Sequence, residues 1–252
     1  MQVNYYKEWS DYLGRNMEFK VYGHAGRPMM VFPCQSGRFW DWEDQGMVEI
    51  AKPWIERGAL QLFCVDSIDP ESWDCPNGDP HFRMQMHEKW YNYLTCELYP
   101  RMIELNGDEN YGRVITTGSS MGGSHAVNFF LRRPDLFNGV ISLSGLFDMK
   151  MFIGDYMDDI AYMNVPVVYM ANFPADHPYI DKFNNADPLI ICVGQGAWED
   201  EMLESTVTLK NIFERKGIKA DWQIWGHDVN HDWPWWRIQW PMFLSKVLDE
   251  KK

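Results

Sequence analysis

The sequence lacks any run of about 18 apolar residues, so it offers no membrane span. Its opening octet, Met1-Gln2-Val3-Asn4-Tyr5-Tyr6-Lys7-Glu8, has no apolar core of the signal-peptide kind, which predicts no secretory leader. Basic residues are scarce: 23 Lys and Arg stand against 36 Asp and Glu, a net charge of −13. The short runs Arg132-Arg133 and Lys251-Lys252 do not form the stripe that releases counterions from a phosphate backbone, so nucleic acid is not an expected partner. The cysteines are odd in number and hold no C-x-x-C pair: Cys34, Cys64, Cys75, Cys96 and Cys192. That pattern predicts free, mostly buried thiols in a reducing cytoplasm rather than a disulfide framework. No internal repeat, low-complexity tract or linker interrupts the chain. What is abundant is core material, with 46% of 252 residues hydrophobic and 15% aromatic. A chain of this size buries enough surface to fold as one domain, residues 1–252, without a metal or disulfide staple. A homo-oligomer is compatible with the sequence.

Short apolar runs alternate with longer helical patterns. Met17–Tyr22 alternates with period two and predicts a half-buried strand. Met29–Phe32 is continuously apolar, as a strand buried on both faces should be. The Gly26-Arg27-Pro28 turn between them predicts an antiparallel hairpin at one sheet edge. Further strands are expected over 60–68, 114–118, 139–144, 189–194 and 221–225, with helices over 45–57, 81–105, 121–132, 201–216 and 234–248. The long 81–105 pattern invites a break near Pro100, and Val165–Met170 fits either type. Strands spaced by helices predict an α/β fold, a mostly parallel central sheet with helices on both faces. Residues 146–187, rich in Met and aromatics, read as an irregular excursion over the sheet's ligand edge.

Gly118-Ser119-Ser120-Met121-Gly122 fits G-x-S-x-G between a strand and a helix. Such a turn holds its central serine in a strained conformation and requires small residues two before and two after it. It also aims the following helix's N–H groups at the reaction centre. The Lys-Ser/Thr of a phosphate loop is missing. A serine nucleophile needs a base and an orienting acid, in the chain order Ser, acid, His for this topology. The loop Gly226–Pro234 after the last strand supplies His231. The loop after Leu189–Gly194 supplies Glu199 or Asp200.

Three segments resemble the putative-esterase branch of the α/β hydrolases, which includes esterase D-like S-formylglutathione hydrolases, feruloyl esterases and mycolyltransferases. Thr117–Gly123 looks like the nucleophile elbow, Arg133–Gly145 like the next strand, and His231–Trp236 like the histidine loop opening the last helix. The resemblance spans about residues 17–248. It implies an α/β-hydrolase fold and a serine hydrolase acting on a small-molecule carboxylic ester or thioester through an acyl-enzyme, with no cofactor. Ser120 matches the nucleophile and His231 the base. Asp200 fits the spacing to the following helix and is preferred, while Glu199 fits a local Trp-Glu pattern. The family has a His-Gly pair where this chain has Pro33-Cys34-Gln35-Ser36. The second oxyanion donor is therefore expected from the backbone of Gln35 or Ser36, beside that of Met121. Acyl transfer to an alcohol is the alternative enzyme reading. A catalytically silent binding protein is the alternative outside catalysis.

The same residues admit plainer roles. His227 and His231 are four apart, a metal-binding spacing on a helix, but their surroundings predict a loop and no metal. His125 reads as a packing or polar-network residue. The C-terminal tryptophans read as core. Trp40 and Trp42, beside the expected oxyanion loop, are the substrate-binding candidates. Asp41, Glu43 and Asp44 read as a solvated acidic turn.

Overall fold

The computed structural model describes residues 1–107 and 113–249; Lys251-Lys252 lies outside the described residues. Among these, eight strands form one sheet: β1 (Val3–Ser10), β2 (Arg15–Tyr22), β3 (Arg27–Phe32), β4 (Leu60–Val65), β5 (Val114–Ser119), β6 (Phe137–Leu143), β7 (Leu189–Val193) and β8 (Asp221–Ile224). Their order is β1-β2-β4-β3-β5-β6-β7-β8. β1 pairs antiparallel with β2, and β2 antiparallel with β4; all other pairs are parallel. The expected β2–β3 hairpin does not form. β3 is buried almost throughout and sits between β4 and β5, while the more polar β2 moves outward to pair with β1. β1 itself escapes the apolar pattern, because it is an edge strand that turns Val3, Tyr5, Lys7 and Trp9 to solvent and Asn4, Tyr6 and Glu8 to its half-buried face.

The helices are α1 (Asp41–Asp44), α2 (Met47–Glu56), α3 (Pro80–Asn92), α4 (Tyr99–Asn106), α5 (Met121–Arg132), α6 (Lys150–Ile153), α7 (Asp159–Tyr162), α8 (Pro166–Asn172), α9 (Tyr179–Asn184), α10 (Asp200–Lys216) and α11 (Trp233–Leu248). Between α3 and α4 the chain does not break. A wider π-type stretch, Tyr93–Leu98, joins them and accommodates Pro100, which has no N–H for the ladder. The ambiguous 165–170 segment is helical, and the excursion is four short helices. None of the described helices is long and apolar enough to cross a membrane.

Period-two alternation sorts the strand side chains into two layers. Met30, Phe32, Phe63 and Val65 face a core shared with α3, α4, α5 and α10. Met29, Val31, Leu62 and Cys64 face the opposite layer, with α2 and α11. Trp236 and Trp240 belong to this second core, as expected. Both faces being covered, the parallel strands carry almost unbroken apolar runs. Their carboxyl ends then form one edge, from which the loops holding the candidate residues emerge.

Candidate active site

Ser120 sits between β5 and α5 with φ 56° and ψ −125°, a left-handed conformation that costs a non-glycine residue about 1–3 kcal/mol. The fold holds it there. Its N–H donates to Leu143 O at 2.8 Å, and its carbonyl accepts from Gly123 and Ser124. The demand for small neighbours is steric: a Cβ on Gly118 would lie 2.4 Å from the Gly122 carbonyl carbon, and one on Gly122 would lie 2.4 Å from Phe32 O. The elbow is thus packed against the end of β3, where the expected oxyanion loop begins.

His231 Nε2 lies 2.8 Å from Ser120 Oγ, and its Nδ1 lies 3.3 Å from Glu199 Oε2. Glu199 is fully buried. Its other oxygen accepts from Ser144 Oγ at 2.6 Å and from Gly194 N–H at 3.3 Å. Ser144 in turn accepts from Trp236 Nε1 at 3.0 Å, and the Trp236 ring meets the His231 ring edge-on at 5.0 Å. A buried carboxylate is tolerable only when its oxygens are satisfied in this way. Asp200, the preferred acid of the sequence reading, is not brought to the site. It is the first residue of α10 and exposed, whereas the preceding turn folds Glu199 inward. The acid and histidine loops also pair with each other. Gly196 N–H donates to Val229 O, His231 N–H to Ala197 O, and Ala197 N–H to Asn230 Oδ1.

On the other side of Ser120, the loop after β3 has most of its N–H groups committed. Cys34 N–H donates to Asp41 Oδ2, Ser36 N–H to Asp69 Oδ2, and Gly37 N–H to Cys34 O. Ser36, one of the two expected oxyanion donors, is therefore already spent. Gln35 N–H has no protein acceptor among the described residues. Met121 N–H is the first of α5 and has no preceding turn to accept it. Asp41 is not part of a solvated turn. It points inward to Cys34, and burial raises its carboxyl above the usual range. Cys34 lies beside the elbow, its Sγ 3.4 Å from Ser119 O, and burial pushes its thiol well up, so it is no rival nucleophile.

The two tryptophan candidates part company. Trp42 is 1% exposed and packs edge-on against Trp240 in the core, so it cannot line a pocket. Trp40 is 38% exposed under the Arg38 guanidinium. His227 faces Gln195 O rather than a shared ligand, and among the described residues no three His, Cys, Asp or Glu side chains cluster as metal ligands would. The five cysteines are all free thiols, Cys96 exposed. Ser144, Asp69 and Asp74 were not singled out by sequence pattern. Their only signal is position, Ser144 just beyond β6 and both aspartates in the stretch that follows β4. The Met-rich excursion approaches the elbow through Leu146 and Met149, which pack in one cluster with Met121.

The family model described as "Putative esterase" matches residues 10–244. Among solved structures the chain is similar to a ferulic acid esterase, with 14% identity, 98% of each chain covered and a TM-score of 0.76. It is similar to an S-formylglutathione hydrolase from Agrobacterium tumefaciens, with 15% identity, 98% of this chain and 95% of that chain covered, and a TM-score of 0.71. It is also similar to MPT51 of Mycobacterium tuberculosis, with 14% identity, 100% of both chains covered and a TM-score of 0.72. At these identities the likeness is one of fold. No curated protein sequence matches the chain. With the family model covering most of its length, this chain belongs to the putative esterase family, the ester hydrolases of the α/β-hydrolase fold.

Proposed function

We propose that the chain is one catalytic domain that cleaves a small-molecule carboxylic ester or thioester through an acyl-enzyme on Ser120. The observation that carries this reading is the series of contacts from Ser120 Oγ to His231 Nε2 at 2.8 Å, and from His231 Nδ1 to Glu199 at 3.3 Å. His231 takes the Ser120 proton as the hydroxyl oxygen attacks the acyl carbonyl. Glu199 holds the imidazole proton on Nδ1 and stabilises the imidazolium that forms. The tetrahedral oxyanion is met by the N–H groups of Met121 and Gln35. His231 then protonates the leaving alcohol or thiol, and water repeats the cycle on the acyl-enzyme. The loop that departs from the family pattern still leaves one N–H unspent, which supports turnover over a silent binding role. Trp40 is the aromatic retained as a substrate contact. Five free thiols suit a cytoplasmic setting.

The test is a panel of p-nitrophenyl esters of graded acyl length, with feruloyl, acetyl-sugar and S-formylglutathione substrates, on wild type and Ser120→Ala. The expected result is hydrolysis of at least one class by wild type and none above background by Ser120→Ala. Equal hydrolysis by the two proteins contradicts the reading.

A further inference from the structure

Behind the oxyanion loop lies a buried polar chain that the proposed reaction does not use. Ser36 has a left-handed backbone, φ 55°. Its N–H donates to Asp69 Oδ2 at 3.1 Å, and its hydroxyl donates to Asp74 Oδ2 at 2.5 Å. Asp69 is 1% exposed, and its other oxygen faces His125 Nε2 at 3.2 Å. His125, also buried, stands on α5 five residues beyond Ser120, so the helix that carries the nucleophile also braces the carboxylate. The His125 ring stacks on His87 with centroids 5.5 Å apart and meets Trp90 edge-on. His87 accepts from Trp73 Nε1 and donates to Asn164 Oδ1, and burial keeps it well below the usual imidazole range, hence neutral. With Nε2 carrying its proton, His125 donates to Asp69.

A buried carboxylate is an expensive way to fill a core. This one spends one oxygen on a loop N–H and the other on the nucleophile's helix. The loop here is a turn: Gly37 N–H closes back on Cys34 O, and Ser36 takes its left-handed conformation within it. With Cys34 N–H held on Asp41, Ser36 N–H on Asp69 and Gly37 N–H on Cys34 O, Gln35 N–H is the one N–H of residues 34–37 without a protein acceptor among the described residues. We infer that Asp69, braced by His125 and assisted by Asp74 on the Ser36 hydroxyl, is a positioning residue. It fixes the peptide of the oxyanion loop so that Gln35 N–H is ready for the developing negative charge. This inference rests on the Ser120 reaction proposed above. An oxyanion donor serves the transition state rather than the bound ester, so loosening it lowers kcat and leaves KM nearly unchanged.

The experiment compares wild type, Asp69→Ala, Asp69→Asn and Asp74→Ala on a p-nitrophenyl ester that wild type cleaves. Rates are expressed per site titrated with a fluorophosphonate, and melting curves are recorded for each protein. Losing an oxyanion donor outright costs about 10²–10³ in turnover. Loosening one in Asp69→Ala should therefore lower kcat per titrated site by about 10–10², with KM within about threefold. Asp69→Asn keeps an acceptor for Ser36 N–H once His125 moves its ring proton to Nδ1, and should recover to within about fivefold of wild type. Asp74 is only half-buried, and Asp74→Ala should lose about fivefold in kcat at constant KM. A merely structural role would lower the melting point and the number of titrated sites, leaving kcat per site intact; that result overturns the inference. If Asp69→Ala does not fold, an unchanged kcat in Asp74→Ala overturns it instead. Wild type that neither labels nor turns over defeats the Ser120 reading itself. Wild type that does both, beside an unaffected Asp69→Ala, defeats this inference alone.

Discussion

The loops on the two sides of Ser120 are ordered by different means. On the histidine side, the acid and histidine loops are laced largely backbone to backbone, from Gly196 to Val229 and from His231 to Ala197. On the side of the proposed oxyanion donors, the loop after β3 hangs on carboxylates: Asp41 on Cys34, Asp69 and Asp74 on Ser36, and Asp66 on Phe39. Backbone pairing asks little of side-chain identity beyond room for the two chains to meet. At Gly196 that room is tight, since a Cβ there would lie 2.7 Å from the backbone oxygen of Val229. Carboxylate ties depend on each aspartate in turn. One side should therefore tolerate substitution except at its reacting groups and its tight glycine, and the other should degrade in steps.

Substitutions at the reacting groups set the top of the scale. Ser120→Ala should lower kcat by about 10⁴-fold or more, measured with any ester the wild type cleaves. Glu199→Gln should cost about 10³–10⁴, because the imidazole loses the partner that fixes its tautomer. Asp200→Asn, one residue on and exposed, should stay within about twofold. Equal effects at 199 and 200 would break the account of the histidine side.

That adjacent pair also marks how far the sequence could be read. The parallel core, the elbow and the histidine loop were legible because their signals are local: apolar runs, a glycine–serine turn, and a His before a proline-opened helix. The choice between Glu199 and Asp200 was not local. It turns on whether the turn before α10 directs a side chain at Gly194, five residues back, and at Ser144, which lies beyond the end of β6. Trp42 and Trp40 show the same limit, since two residues of one type, two apart, go one to the core and one to the surface. The β1–β2 hairpin was missed because β1's half-buried face, Asn4, Tyr6 and Glu8, is no more apolar than its exposed face, Val3, Tyr5, Lys7 and Trp9. Asp41, read as solvated, is claimed by a backbone N–H seven residues earlier.

Smaller effects sharpen the contrast between the loops. Trp42→Ala should destabilise the protein by about 3–5 kcal/mol, a fall in melting temperature of about 10 °C, since it removes a buried indole. Trp40→Ala should change stability by no more than about 0.5 kcal/mol, and its effect should fall on KM for bulky esters. Asn230→Ala removes a single tie, the 2.8 Å bond from Ala197 N–H. With the backbone ladder intact it should cost about 1 kcal/mol of stability and only a few-fold in kcat. A loss at Asn230 as large as that at Asp69 would erase the distinction drawn between the two sides.

The central claim is that Ser120 is the nucleophile and is activated by His231. It is tested most directly by treating the protein with a fluorophosphonate and locating the adduct by peptide mass spectrometry. The account predicts one adduct, on Ser120, absent in Ser120→Ala and formed far more slowly in His231→Ala. An adduct on another residue, or full esterase activity in protein fully labelled on Ser120, would contradict it.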